Sequence, residues 1–369
     1  MFDRRFVQRF DWGLFGVTLA LGTLGLMTLY SAVTADTQSP EKILVIKQMI
    51  WYCVGMTLMT VSFLFDYKSL DRWANPIYGF CIFLLICVLL SGKYVGGSKR
   101  WLALGPVSIQ PSELVKIAVI IILARYYAKL ANHEGFTLRT LLNPLILVGI
   151  PFVLVIKQPD LGTGVVILLI AASMTAFVKI ERRSLIFMLT VCITAVPLTW
   201  HFGLKSYQKQ RILTFLNPDM DPLGSGYHII QSKIAIGSGI IFGRGFKKGV
   251  QNTLSFLPEQ HTDFIFSVLA EESGFVGSLA LILIFMILII WGLNIAYGCR
   301  DPFGTILSVG VTAMIFWQVF INISMVMGLM PVVGVPLPFM SYGGSSVLTI
   351  MTCIGILMNI SMRRFIVDV

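Results

Sequence analysis

The sequence predicts an all-α polytopic membrane protein with about ten transmembrane helices, and three observations lead to this fold class. Hydrophobic residues make up 56% of the 369 residues and charged residues only 12%, with a mean hydropathy of +0.83. A water-soluble domain carries about 25% charged residues, so this chain has too little charge to cover a surface in water. The apolar residues also form continuous runs of about 20, the length that an α-helix needs to cross a bilayer.

Ten such runs define the predicted spans. We predict helices rather than barrel strands, because apolar residues are continuous in these runs and do not alternate with polar ones. The first run is too long for a secretory signal and lacks a small-residue cleavage site, so it is expected to remain as a span. The predicted spans are 12–33, 45–65, 75–92, 112–131, 141–157, 162–179, 184–203, 272–297, 305–328 and 341–362.

The distribution of Lys and Arg predicts the orientation of the spans. With the N-terminus inside, the inner segments hold fourteen of these residues and the short outer loops hold five. Cytoplasmic loops carry this excess in membrane proteins. Ten spans then place both termini in the cytoplasm and the long segment 204–263 outside, all within a single membrane domain, 1–369.

The long segment 204–263 carries more positive charge than topology requires. It holds seven Lys and Arg residues against four Asp and Glu, a net charge of +3. This charge suits an anionic partner at the outer surface, either lipid head groups or a phosphate-bearing substrate; the alternative is a solvated loop with scattered charge. We expect no nucleic-acid partner.

The six cysteines form no CxxC pair and are interpreted as small hydrophobic residues.

The first unusual outer stretch is GKYVGGSKRWLALGPVSIQPSELVKIA, residues 92–118. Its Gly-rich part predicts a bent loop that carries Arg100, and Pro111 suits the first position of a helix. Glu113 and Lys116 are three residues apart, so they share one face of that helix. An ionisable residue within a span indicates a functional site with a partner, although an ion pair that only fixes helix packing is the alternative.

Two further stretches break the pattern of plain spans at the outer face. Pro144 and Pro151 interrupt a short span that leads into KQPDLGTG, where Asp160 suits either a helix cap or a site residue. PVVGVPLPFMSYGGSSVLTI, residues 331–350, predicts a tight turn into the last helix. A helix N-terminus that contains Gly and Ser, here including Ser345, is suited to bind anions; an ordinary loop is the alternative.

Acidic residues precede the eighth span, in FLPEQHTDFIFSVLAEESG, residues 256–274. Glu271 and Glu272 lie at its predicted outer end. A helix that begins near Pro258 would place Glu259 and Asp263 on one face. A carboxylate at the mouth of an apolar bundle is partly desolvated, which makes it a better base.

One base among cations predicts group transfer from a phosphate-linked donor. A sugar hydroxyl is a poor nucleophile that gains from a base, and a pyrophosphate leaving group needs only nearby positive charge. Hydrolysis by a familiar nucleophile is not supported, because the chain has no Ser-His-Asp order, HExxH motif or P-loop. The GSG and GRG triplets lack the strand and helix of a nucleotide-binding unit.

The four outer motifs together resemble the SEDS family of peptidoglycan polymerases. The resemblance rests on RWLALGPVSIQPSELVKIA, KQPDLGTG, FLPEQHTDFIFSVLAEESGFVG and PLPFMSYGGSS, and it covers nearly the whole chain in order. GYHIIQSKIAIGSG and the short tails are closer to the elongation branch, RodA, than to the division branch, FtsW. The resemblance implies a glycosyltransferase of the bacterial inner membrane that polymerises lipid II during cell elongation.

The resemblance also implies site residues and partners. Asp263 matches the essential acid of the family. The outer cavity of the family matches a second set of positions: Arg100, Glu113, Lys116, Asp160, Arg211, Lys233, Glu259, His261 and Ser345. The implied partners are a class B penicillin-binding protein and other elongation-complex proteins. Arg100, Lys116 or a divalent cation such as Mg²⁺ or Mn²⁺ would stabilise the departing pyrophosphate.

Two other classes of function are considered. A lipid II flippase needs polar groups through both leaflets, whereas the unusual polar residues here cluster at the outer end of the spans. A non-catalytic scaffold for cell-wall enzymes leaves Asp263 and Lys116 without a role. The residues by themselves therefore predict an outer-face site for an anionic, lipid-linked substrate, and the resemblance supplies the reaction.

Overall fold

The computed structural model describes residues 10–34, 42–95, 98–104, 107–130, 136–203, 206–217, 224–253 and 260–363. These residues form thirteen α-helices, one short π-helix (Thr199–Gly203) and one small sheet. The helices are α1 (Trp12–Thr34), α2 (Lys42–Leu64), α3 (Tyr67–Ser91), α4 (Pro111–Lys129), α5 (Leu138–Lys157), α6 (Leu161–Phe177), α7 (Arg182–Leu198), α8 (Ser206–Leu216), α9 (Ser225–Ser238), α10 (Val250–Thr253), α11 (Ile265–Gly298), α12 (Pro302–Val326) and α13 (Gly344–Arg363).

The prediction of an all-α polytopic protein is confirmed, and a helix occurs at each of the ten predicted spans. In the described part of the chain, seven helices are long and apolar enough to cross a membrane: α1, α2, α3, α5, α11, α12 and α13. Helices α6 and α7 have 17 residues each, and α4 carries charged residues in its first and last turns. The count of ten spans therefore stays a prediction.

Burial divides the helices into an inner and an outer group. Most of α12 and nearly all of α13 are buried, whereas α2, α3, α5 and α11 expose long apolar faces, as lipid-facing helices do. Helix α12 packs on α4, α6 and α11, and α13 packs on α2 and α4. The inner helices carry buried polar residues. A polar functional site is therefore expected at the ends of these helices or along the faces where they pack together.

The stretch between α3 and α4 is a small antiparallel sheet rather than only a bent loop. Its strands are β1 (Lys93–Val95), β2 (Ser98–Leu104) and β3 (Val107–Ile109), in the order β1-β2-β3. Lys93 pairs with Trp101, and Leu102 pairs with Ile109. The sheet carries Arg100 on β2 and leads directly into the first turn of α4.

Glu271 and Glu272 lie inside α11, not at its outer end, and both are buried. One oxygen of Glu272 accepts hydrogen bonds from Ser31 Oγ and from Lys247 N at 3.2 Å. One oxygen of Glu271 accepts from Gln251 N at 3.1 Å. The two carboxylates therefore hold the chain between α9 and α11. This structural role explains why two carboxylates are buried here, although burying a charge costs free energy.

A break in α11 at Gly274 receives the segment between α9 and α10. Gly274 has φ +66°, a conformation that a residue with a Cβ rarely adopts. Around the break, Phe275 N donates to Ile240 O at 2.9 Å, and Gly245 N donates to Glu272 O at 2.9 Å. Irregular backbone is tolerated at membrane depth when its polar groups are bonded within the protein, as they are here.

Candidate active site

Asp263 lies in a turn that directly precedes α11. The helix does not begin near Pro258 as the sequence suggests, because residues 260–264 form turns and α11 starts at Ile265. Asn322 of α12 donates through Nδ2 to Asp263 O at 2.9 Å and to Val335 O at 2.8 Å. One amide therefore ties the Asp263 backbone to residues 331–343, which we call the Pro-rich segment.

The Pro-rich segment holds the turn that carries Asp263 through several further contacts. Ser341 Oγ donates to Thr262 O at 2.6 Å, and Tyr342 N donates to His261 O at 2.9 Å. The rings of His261 and Tyr342 are 6.1 Å apart. The backbone of residues 261–263 is thus held by contacts with α12 and with the Pro-rich segment.

A second polar cluster forms around Asp160. The carboxylate Oδ1 of Asp160 lies 3.7 Å from Arg100 Nη1, and Arg100 also donates to Pro159 O. The same carboxylate accepts from Thr163 N at 3.3 Å and from Thr163 Oγ1 at 2.9 Å. Asp160 therefore caps α6 and also forms an ion pair with Arg100.

Gln110 and Ser112 connect the Asp160 cluster to α13. Gln110 Nε2 and Ser112 Oγ each donate to Asp160 Oδ2 at 3.2 Å. Gln110 N donates to Ser345 Oγ at 3.0 Å. The starts of α4, α6 and α13 thus converge beside Arg100. Sequence reasoning missed Gln110 and Ser112, although polar residues around the Pro that opens a helix were a usable signal.

The Glu113–Lys116 pair lies in the first turns of α4 and is almost fully buried. Lys116 Nζ is 2.7 Å from Glu113 Oε1, and the two side chains are only 2% and 3% exposed. The predicted pairing of these residues on one helix face is present. Glu113 already neutralises the charge of Lys116. Lys116 can therefore stabilise the negative charge of a bound substrate only if the pair keeps its ammonium group directed toward that charge.

Both clusters lie next to residues 333–335 of the Pro-rich segment. Gly162, two residues after Asp160, packs directly against Val333 O. A Cβ on Gly334 would lie 3.2 Å from Asp263 Oδ2. The Pro-rich segment therefore brings the Asp263 carboxyl and the Asp160 cluster, with Arg100, to the same part of the protein.

Two predicted cations from the 204–263 segment reach the same region. Arg211 of α8 donates through Nη1 to Val332 O at 3.3 Å. Lys233 of α9 packs against Gly328, just before the Pro-rich segment. Of the predicted site residues, Glu259 lies outside the described residues.

Comparisons with known proteins bear on what this arrangement does. The family model described as the cell cycle protein FtsW/RodA/SpoVE matches residues 11–365. The chain belongs to the FtsW/RodA/SpoVE family. The resemblance carried by the outer motifs is therefore confirmed, because the family match spans all of them. Every predicted site residue lies within the matched range.

The chain is similar to a peptidoglycan glycosyltransferase and to a chain of a solved peptidoglycan synthase complex. The chain is 42% identical to peptidoglycan glycosyltransferase MrdB of Escherichia coli K12 over 349 residues, which is 94% of this chain and 93% of that protein. A solved chain from a peptidoglycan synthase complex that coordinates polymerisation and crosslinking aligns with a TM-score of 0.82 and 29% identity. It covers 96% of this chain and 98% of that one.

A further solved structure in this family is the rod shape determining protein RodA of Thermus thermophilus. It aligns with a TM-score of 0.72 and 26% identity, covering 96% of this chain and 98% of that one. Because these alignments span nearly the whole of each chain, the arrangement of helices around Asp263 is that of the family.

Replacing Gly334 by Ala is expected to lower glycan polymerisation about tenfold. Gly334 has φ +71°, so a Cβ costs about 1–2 kcal/mol of backbone strain, and it would also crowd the Asp263 carboxylate. Gly343→Ala is the matched control, because its added Cβ would meet only Ser346 Cβ at 3.8 Å. Turnover and thermal stability are measured on both purified variants. Equal turnover in the two variants would show that space beside Asp263 does not matter.

Proposed function

We propose that the chain is a peptidoglycan glycosyltransferase of the elongation type, which polymerises lipid II into glycan strands. The observation that carries this proposal is that the Asp263 carboxyl and the Asp160 cluster, with Arg100, both lie next to residues 333–335, while Asn322 holds the Asp263 backbone. A base and a cation held beside the same segment are suited to a group transfer from a pyrophosphate donor.

Asp263 acts as the general base in the proposed reaction. Its carboxylate takes the proton from the 4-hydroxyl of the acceptor GlcNAc, and the freed oxygen attacks C1 of the donor MurNAc. The bond between C1 and the phosphate oxygen breaks, and undecaprenyl pyrophosphate leaves with the electron pair. Attack from the face opposite the leaving group converts the α-linked donor into a β-1,4 bond, so one carboxylate suffices.

The departing pyrophosphate is stabilised by groups of the Asp160 cluster and its neighbours. Arg100 is a partly exposed cation beside Asp160, and Gln110 connects Asp160 to the start of α13 at Ser345. Helix N-termini favour anions because their first N–H groups lack partners within the helix. Lys116 is the other candidate for this role. Among the described residues no group of three or more His, Cys, Asp or Glu could hold a metal ion, so a divalent cation such as Mg²⁺ or Mn²⁺ would have to be bound by the pyrophosphate itself.

We propose the location and the partners by analogy with the same family. We place the protein in the bacterial inner membrane, with ten spans in one membrane domain, both termini in the cytoplasm and Asp263 on the outer face. The 204–263 segment then forms the outer loop. A class B penicillin-binding protein is the proposed partner, because the similar solved chain comes from a complex that couples polymerisation to crosslinking.

The position of the polar side chains distinguishes this proposal from a flippase or a scaffold. Asp160 and Asp263 lie directly before the starts of α6 and α11, and Arg100 lies on β2 beside Asp160. A transporter would need polar contacts deep in both leaflets, and a scaffold would leave the Asp263 carboxyl without a role. The proposal is tested with purified protein in vesicles, by comparing wild type with Asp263→Ala for polymer formed from lipid II and for movement of fluorescent lipid II across the bilayer. Movement without polymer would favour the flippase.

Arg100→Ala is expected to lower turnover about 100-fold, because losing one donor that stabilises developing charge costs about 3 kcal/mol. Arg125→Ala is a matched control, since Arg125 is also paired and its side chain is 22% exposed against 23% for Arg100. Arg125 lies near the other end of α4 and should retain wild-type turnover. Added Mg²⁺ or Mn²⁺ should restore part of the Arg100→Ala activity. Similar losses in both variants would assign Arg100 to folding rather than to the leaving group.

A further inference from the structure

Among the described side chains that are buried and carry polar atoms without partners, four lie in the outer halves of α4, α12 and α13. Glu113, Gln318, Asn322 and Thr349 are each at most 2% exposed. Within the described part of the chain, no hydrogen bond reaches Glu113 Oε2, either amide atom of Gln318, Asn322 Oδ1 or Thr349 Oγ1. Buried polar groups in native proteins are almost always paired, so this group of atoms needs an explanation.

Contacts between α4 and α12 place Gln318 level with Glu113. The two helices are antiparallel, because the start of α12 and the end of α4 both contact the start of α3. Their register is set by Gly310, where a Cβ would lie 2.6 Å from Ile120 Cγ2. Glu113 is seven residues outward from that contact on α4, and Gln318 is eight residues outward on α12. At 1.5 Å per residue, the two differ in height by only about 1.5 Å.

The contact between α4 and α13 brings Thr349 to the same level. Gln110 N bonds to Ser345 Oγ where these two parallel helices begin. Counting four residues from this bond along each helix leads to Thr349 on α13 and to position 114 on α4. Thr349 is therefore level with the part of α4 between Glu113 and Lys116. Thr349 is also four residues from Ser345, so both residues face α4.

Asn322 connects this level to the candidate base. It is four residues beyond Gln318, on the same face of α12. Its Nδ2 holds Asp263 O at 2.9 Å. One face of α12 therefore carries both Asn322, which holds the turn of Asp263, and Gln318, which is level with Glu113.

We propose that Gln318 and Thr349 are positioning residues for the transferase reaction, which hold the second carboxylate oxygen of Glu113 and so fix the direction of Lys116. Their chemistry fits this role, because Glu113 Oε2 accepts, Gln318 Nε2 donates and the Thr349 hydroxyl does both. The bonds form directly or through one bridging water once substrate fills the site. This inference rests on the proposed roles of Asp263 and Lys116.

Gln318→Met tests the proposal, since Met keeps the length of the side chain and removes its polar atoms. We expect kcat for polymerisation of lipid II to fall at least about tenfold, with KM changed less than about twofold, as for groups that act in the transition state. The melting temperature should stay equal or rise, because a buried amide without partners is removed. Gln318→Asn, which keeps the amide, should retain more turnover than Gln318→Met.

Ser308→Ala is the matched control. Ser308 is also on α12, is fully buried and has an unpartnered hydroxyl, but it lies ten residues, about 15 Å, further inward than Gln318. Its turnover should stay within about twofold of wild type. Combining Gln318→Met with Glu113→Gln should add little to the loss from Glu113→Gln alone, because both remove the same interaction.

Several outcomes would overturn the proposal. One is a Gln318→Met variant that keeps more than half of the wild-type kcat while Asp263→Asn is inactive. Another is a double variant in which the two losses multiply. If Gln318→Met does not fold, the isosteric Thr349→Val decides by the same criteria, with an expected loss of about threefold or more. An active Asp263→Asn variant would instead overturn the proposed function, so the two failures are distinguishable.

Discussion

Asp263→Asn is expected to abolish glycan polymerisation while the protein still folds. The amide keeps the shape of the side chain but cannot take a proton from the acceptor hydroxyl, and the loss of a general base typically lowers rate about 10²–10⁴-fold. The bonds from Asn322 to Asp263 O and from Tyr342 N to His261 O involve backbone oxygens of the turn, so they survive the change. The measurement is polymer formed from lipid II by purified protein, with the melting temperature recorded in parallel.

Asp301→Asn is the control for this experiment. Asp301 caps α12 through a bond from Gly304 N to Oδ2 at 3.0 Å, and Asn caps helices about as well as Asp. We expect this variant to polymerise at the wild-type rate. Polymer yield from Asp263→Asn close to that of Asp301→Asn would remove Asp263 from the role of base.

Breaking the Glu113–Lys116 pair is expected to have the second largest effect. Lys116→Ala leaves the Glu113 carboxylate buried without its cation, and removing one partner of a buried pair costs about 3–5 kcal/mol of stability. Turnover should fall more than it does for Arg100→Lys, because Arg100 is partly exposed and Lys keeps its charge. The melting temperature and the polymerisation rate are both measured.

The double variant Glu113→Gln with Lys116→Met separates stability from catalysis. Replacing both partners by neutral groups leaves no uncompensated charge in the interior. The double variant should therefore lose less stability than the sum of the losses in the two single variants. Turnover should not recover, because no cation remains in α4 near the site. Simple additivity of the two stability losses would show that these residues do not act as a pair.

The sequence by itself determined the fold class, the approximate helices and the family. Each span is a local signal, since a run of about 20 apolar residues must cross the bilayer as a helix whatever surrounds it. The pairing of Glu113 with Lys116 was equally predictable, because residues three apart on a helix are neighbours. The motif that contains Asp263 and the one that contains Ser345 were enough to indicate the family, which the comparison over residues 11–365 confirms.

Only the tertiary structure decided how these pieces meet. Asn322 bonds to the Asp263 backbone, and Gln110 joins Asp160 to Ser345, across separations of 59, 50 and 235 residues along the chain. Glu271 and Glu272, which seemed to lie at the mouth of a span, turn out to bond the segment between α9 and α11. No local pattern encodes such contacts, because a polar side chain in a helix has the same sequence signal whether its partner is a solvent molecule, a neighbouring backbone or a substrate. The partner is chosen when the helices pack, since burial then requires each polar group to be bonded.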